Sequence, residues 1–261
     1  RVFLVAGTAM NLALQCRNLT PAGYPSSAAV DLDVPAGSVL VIAARGGHHR
    51  NRLLFALAGL EPAQCQTHSL CGVDLLAPDR RRRRRARNGS AVISHAFPLL
   101  SNLSACANVM LPLMYHRRMP RRDAMAAAHE LLDAVAFKAD RDALPAFLNQ
   151  DARWRALLAR ALGNGPPILF LDEPFELDSV EEWRTLADLL LAVAEQFNCT
   201  LVVETAHLEF ARHHADQTIY LDAQGSAVFS CEQAFALTNR HTSWVAYLRR
   251  LGTYTHSHAA I

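Results

Sequence analysis

Apolar and polar residues alternate over positions 12–18 and again over 28–34, the period of two that predicts strands with one buried face. Pro35-Ala36-Gly37 closes the second with a turn. The pattern then changes: SVLVIA at 38–43 is continuously apolar, which predicts a strand buried on both faces. A polar, glycine-containing loop follows, then a helix over 53–60 stopped by Glu61-Pro62. A short strand and turn are expected at 68–76 and an apolar strand at 91–93. Helical signals run from Phe97 to about Ala161, with RRDAMAAAHELLDAV at 121–135 as an amphipathic helix. Beyond the strand 168–171 come a helix ending near Phe197, a strand at 200–204 and a helix from Leu208. Strands at 217–221 and 226–230 and two short helices within 232–250 close the chain. No repeat or low-complexity linker interrupts the alternation, so an α/β fold is predicted.

A chain of 261 residues, 51% of them hydrophobic, supports one sizeable core or two closely packed lobes. Its net charge of +2 and pI near 8.3 give no reason to expect nucleic acid as a partner. Cysteines at 16, 65, 71, 106, 199 and 231 lack CxxC spacing or a histidine at ligand spacing. Neither zinc nor disulfides are expected, and reduced thiols suit a cytoplasmic compartment. The opening RVFLVAG is too short for a secretory signal, and no later run approaches a membrane span. Met10 opens a natural first strand, so residues 1–9 are read as a possible non-native extension. Seven arginines at 80–85 and 87 carry no interleaved aromatic residue; they make either a solvated face or a patch for acidic headgroups or RNA. His213-His214 beside Asp216 is read as helix surface rather than a metal site.

The candidate chemistry starts at the strand, loop and helix of 38–60, an order that presents backbone amides and a helix N-terminus to an anion. A phosphate loop is written GxxxxGK(S/T): glycines admit the phosphates, lysine reaches them and a hydroxyl binds magnesium. On that pattern Ala44 takes the first glycine position and Gly46, Gly47 and His48 fall inside the loop. His49 takes the second glycine, Arg50 the lysine and Asn51 the hydroxyl, with Arg52 next. Only positive charge is retained, and an arginine fork does not replace an ammonium. Losing two or three charged hydrogen bonds, at roughly 1.5–3 kcal/mol each, lowers phosphate affinity by powers of ten.

A second segment points the other way. ILFL at 168–171 runs into Asp172 and Glu173 with Pro174 behind, the Walker B arrangement of an aspartate for magnesium and a glutamate for the attacking water. The same residues also serve to end a strand and shape the next loop, and both readings stand.

Taken in order, VPAGSVLVIA at 34–43, LLFALAGLEP at 53–62, NVMLPLMY at 108–115, LLARAL at 157–162 and ILFLDEP at 168–174 resemble an ABC-transporter ATP-binding subunit over about 10–237. The resemblance implies a P-loop NTPase (RecA-like) core of ABC type, an antiparallel β lobe and an inserted α-helical subdomain over roughly 95–160. It leaves 238–261 as a helical tail. It also implies Mg-ATP as ligand, a head-to-tail dimer, a membrane permease as partner and a peripheral place on the inner face of the cell membrane. Tyr24 would stack on adenine or pack as a loop tyrosine. FPLLSNLSACANVMLPLMY at 97–115 is similar to ATP-binding subunits of lipoprotein-release and Mla-type phospholipid transporters, and WVAYLRRLGTY at 244–254 looks more like the Mla type.

The departures from the family pattern are as informative. The signature LSGGQ stands as Leu148-Asn149-Gln150-Asp151-Ala152, and Asp151 would bring a carboxylate near a partner's terminal phosphate, costing about 4 kcal/mol per like-charge pair at about 4 Å. Ser94 takes the family's glutamine position, where it and Asn51 become the remaining magnesium candidates beside Asp172. Ala206 takes the switch-histidine position, with His207 one residue late. Two expectations follow: a degenerate subunit that couples a permease to a competent ATPase in a heterodimer, or a slow ATPase that holds Mg-ATP through Arg50, Asn51 and Arg52.

Overall fold

The computed structural model describes residues 11–24, 29–44, 52–175, 180–221 and 227–232. Residues 1–9, the tail 238–261 and most of the expected closing helices lie outside them. The two alternating N-terminal segments pair as antiparallel strands β1 (Leu12–Pro21) and β2 (Val30–Pro35), with Cys16 opposite Leu32. β1 runs past its expected end because its other edge is used too. β4 (Ala63–Gln64) pairs with Thr20 and Pro21, and β5 (Thr67–Leu70) pairs with positions 14–17. β6 (Val73–Asp74) returns against β5 through Cys71 and Gly72, both at positive φ, the backbone of a tight hairpin.

The second sheet is the platform for the site. Its order is β11-β10-β3-β9-β8-β7, built from β3 (Val39–Ala44), β7 (Ser90–Ile93), β8 (Ile168–Asp172), β9 (Thr200–Thr205), β10 (Gln217–Leu221) and β11 (Ala227–Glu232). The first five run parallel and β11 is antiparallel at the edge. Continuous apolar sequence is what a parallel strand covered on both faces requires, and every residue of β8 and β9 is buried. Alternate residues divide between two cores. Leu40, Ile42, Phe170 and Val202 face α1 (Arg52–Leu57) and the antiparallel lobe; Val41, Leu169, Leu171 and Val203 face the remaining helices.

The arginine run folds as helix α2 (Arg80–Asn88), started by Asp79, whose Oδ1 accepts from the Arg81 amide at 2.8 Å. Ala86 turns inward, while Arg80, Arg81, Arg82 and Arg84 are exposed. The expected helical stretch from Phe97 begins only at α3 (Ala105–Tyr115), capped by the Ser104 hydroxyl. The delay has a cause: the buried Asn108 amide binds the Leu100 amide and the carbonyls of Leu100, Leu103 and Ser104, holding 100–104 as a turn. α4 (Arg121–Ala134) and α5 (Gln150–Leu162) pack on α3, and a 3-10 turn, Pro145–Phe147, leads into α5. α6 (Val180–Phe197) and α7 (Leu208–His214) follow β8 and β9. Among the described residues no helix is long and apolar enough to cross a membrane.

Candidate functional site at the carboxyl ends of the parallel strands

Open parallel sheets bind ligands at the carboxyl ends of their strands, and there β7, β8 and β9 bring the sequence candidates together. Asp172, at the end of β8, and Glu173 are each 6% exposed, and Ser94 just beyond β7 is 1% exposed. The Ser94 hydroxyl donates to Asp172 Oδ2 at 2.5 Å and accepts from the Ala96 amide at 3.0 Å. Two of the three expected magnesium candidates are therefore in contact; the third, Asn51, lies outside the described residues.

Glu173 is aimed elsewhere. Its φ of 45° is left-handed, rare for a residue with a Cβ. Its amide donates to the Glu204 carbonyl at 2.9 Å. Both carboxylate oxygens accept from the Ala206 amide, at 3.1 and 3.2 Å. The carboxylate thus holds the backbone at the position where the resemblance put a histidine. His207 caps the start of α7 by position, and its ring lies edge-on to Phe175 at 6.0 Å and against Trp183 at 5.9 Å. Phe175 is fully buried. β3 and β9 stay in register to Ala43 and Thr205.

The signature segment is absorbed into the start of α5. Asn149 Oδ1 caps it by accepting from the Ala152 amide at 2.8 Å, Leu148 and Ala152 are buried, and Gln150 is the first helical residue. Asp151 is not the isolated charge the sequence suggested. Arg155 Nε binds its Oδ2 at 2.7 Å and Arg155 NH1 donates to the Val135 carbonyl at 2.9 Å. The two form an i,i+4 ion pair in which the arginine is nearly buried.

Of the phosphate-loop candidates, Ala44 ends β3 and Arg52 opens α1; Gly46, Gly47, His48, His49, Arg50 and Asn51 lie outside the described residues. Arg52 is turned from the strand ends. Its NH1 donates to the Ala22 carbonyl at 2.9 Å and its Nε lies 3.7 Å from Glu61. Gly23, at φ 84°, permits this, since a Cβ there would stand 2.9 Å from Arg52 NH1. Tyr24 is buried, 9% exposed. Burial first, and then the charge of Glu204, push its hydroxyl up to about 12. A cavity of about 570 Å³ lies beside it, lined by Asn18, Thr20, Gly23, Tyr24, Pro62 and Gln64 among others and by none of the carboxylates.

Glu204 is the residue that sequence reasoning passed over. It is 1% exposed, level with Asp172 on β8 and with Ile42 on β3. Its signal was present: one ionisable residue inside TLVVET, a strand otherwise suited to full burial. Asp172 and Ser94 offer oxygens of the kind magnesium takes. Asp172, Glu173 and Glu204 place three buried carboxylates at adjacent strand ends, while Arg52 is engaged elsewhere. Among the described residues no group of three or more His, Cys, Asp or Glu is arranged to hold a metal ion.

Residues 28–176 match the profile of the ABC transporter family. The chain belongs to that family. It is 30% identical over 212 residues to a methionine import ATP-binding protein of Rhodopseudomonas palustris, covering 79% of this chain and 57% of that one. It is 28% identical over 213 residues to a glutamate transport ATP-binding protein of Corynebacterium efficiens, covering 82% and 87%. The chain thus spans little more than half the length of the methionine relative. In fold, this ABC chain superposes on a dimeric bacterial ABC transporter cassette with a TM-score of 0.73 at 23% identity, over 85% of this chain and all of that one. A dimeric post-hydrolysis cassette with ADP and phosphate bound gives 0.71 at 21%. The expected P-loop NTPase fold is therefore present. The lipid-transport expectation finds no support in these relatives, which are named for amino acids.

Proposed function

We propose that this chain is the ATP-binding-type subunit of an ABC transporter in which nucleotide turnover is weak or absent, acting mainly as a structural and coupling partner. The observation that carries this reading is the placement of Glu173. Both oxygens of the candidate general base are held on the Ala206 amide, and Ala206 has no group to accept or donate a proton in the histidine's place. The substitutions His49, Arg50 and Asn51 in the phosphate loop and Asn149 and Asp151 in the signature segment support the same reading. Two such copies would make two impaired sites, so a second, competent ATP-binding subunit and a membrane permease are the partners proposed. The packing of α3, α4 and α5 into one body supports assigning 95–160 as the helical subdomain within a domain spanning 10–237. The amino-acid relatives favour solute import over lipid traffic as the transporter's work.

The test is phosphate release by the purified full chain with Mg-ATP. Wild type and Glu173→Gln are expected to give the same near-background rate. Turnover lost specifically in Glu173→Gln would overturn the proposal in favour of a slow ATPase.

A further inference from the structure

The geometry points to an anion site in the cavity between the end of α1, the strands β4, β5 and β6 and helix α2, where Arg83 and Arg87 hold a phosphate monoester. The inference stands apart from the proposed loss of turnover. It concerns two of the seven arginines whose chemistry the sequence left open.

The run divides by helical face. Arg83, Ala86 and Arg87, three and four positions apart, share one side of α2. Ala86 is 6% exposed and belongs to the core that contains Leu53, Leu57 and Leu75, so this side is turned towards the protein. Arg80, Arg81, Arg82 and Arg84 are exposed, and Arg82 has Asp79 4.0 Å away. The inward side borders a cavity of about 260 Å³, lined by Glu61, Pro62, Leu75, Leu76, Arg83 and Arg87 among others. Pockets for drug-sized ligands hold roughly 300–1,000 Å³, so this smaller one suits a phosphate carrying a short organic group.

Two observations direct the guanidinium groups to a ligand. Arg83 Nε is buried without a hydrogen-bond partner, and among the described residues no carboxylate pairs with Arg83 or Arg87. A buried N–H without an acceptor is a net cost to the fold. A guanidinium keeps its charge, and its planar fork matches the paired oxygens of a phosphate. The second observation is a missing side chain. Gly59 has a φ of 70°, and a Cβ there would stand 2.8 Å from Leu75 Cδ1 and 3.9 Å from Arg87 Cγ. The bare glycine lets Leu75 and the arginine stem close over the end of α1, leaving the charged head at the cavity. Glu61 supplies a carboxylate to the same wall, with Oε2 3.7 Å from Arg52 Nε. It repels a second acid in the ligand and accepts from a hydroxyl, so a polyol phosphate fits better than a dicarboxylate. A small ester and an acidic lipid headgroup share this phosphate chemistry, and the experiment separates them.

The experiment is calorimetric titration of the full chain, at physiological ionic strength, with inorganic phosphate and with glycerol 3-phosphate. Wild type is compared with Arg83→Gln, Arg87→Gln and, on the exposed face, Arg81→Gln, after thermal melts show each to be folded. Loss of a charged hydrogen-bond donor predicts glycerol 3-phosphate binding about 10- to 100-fold weaker in Arg83→Gln and in Arg87→Gln. Arg81→Gln should bind as wild type does. Cys65, partly buried in the same wall, should react more slowly with iodoacetamide when glycerol 3-phosphate is present, while exposed Cys71 should be unaffected. That measurement on wild type decides the matter even where a variant fails to fold. Co-sedimentation with vesicles of equal parts phosphatidylcholine and phosphatidic acid tests the source: retention lost in Arg83→Gln and Arg87→Gln alone would assign the phosphate to a lipid headgroup. No saturable binding of any probe, equal loss in all three variants, or binding indifferent to all three would overturn the inference.

Discussion

Ser94 and Asp172 sit at the ends of neighbouring parallel strands, joined by a 2.5 Å hydrogen bond from hydroxyl to carboxylate. The bond is buried and charge-assisted, the class with the largest net contribution among hydrogen bonds. Ser94→Ala should cost about 1.5–3 kcal/mol by leaving one buried carboxylate oxygen without its donor. Ser94→Thr, which keeps the hydroxyl, should cost less. Urea denaturation midpoints measure both, and an unchanged midpoint for Ser94→Ala would show that the pair contributes nothing.

Arg155 is expected to matter more than Asp151, although they form one ion pair. Arg155→Ala removes the partner of Asp151 and the donor to the Val135 carbonyl together, so a loss of about 2–3 kcal/mol is expected. Asp151→Asn leaves the second bond intact at a position where the carboxylate is 39% exposed. Its cost should stay below about 1 kcal/mol. Denaturant midpoints of the two single variants and the double variant separate the pair from its surroundings.

Most of the architecture was legible because the pattern rules apply where both faces of a strand are covered. SVLVIA, ILFLD and TLVVE each announce a buried parallel strand, and each is one. The ordered motifs then identified the family. The errors fall where a side chain overrides local pattern. Asn108 holds residues 100–104 as a turn within a stretch that reads as helical. Arg52 stands beside the phosphate-loop positions, and spacing alone does not show that its guanidinium reaches the Ala22 carbonyl and Glu61 over Gly23. Asp151 reads as a lone charge because sequence spacing alone does not show that Arg155, one helical turn on, is nearly buried against it. Glu204 was missed for a different reason: a strand prediction notes that a residue fits the run and does not ask what a charge does inside it.

Acid should weaken the fold through His68. Its ring is buried, with Nε2 2.9 Å from the Leu57 carbonyl, and burial holds its pKa below the ordinary 6.5. The folded state then binds a proton less readily than the unfolded chain. Stability contributed by the neutral ring is fully present above pH about 6.5 and is lost as the pH falls from there towards the folded pKa. Denaturation midpoints between pH 8 and 5 should decline for wild type more steeply than for His68→Gln. Parallel pH profiles would exclude His68 as the cause.

The most direct measurement is a calorimetric titration of the full chain with Mg-ATP at physiological ionic strength. The account predicts binding weaker by several powers of ten than micromolar, because the proposed loss of charged phosphate contacts removes roughly 1.5–3 kcal/mol for each. Micromolar affinity for Mg-ATP, with hydrolysis abolished by Glu173→Gln, would contradict it.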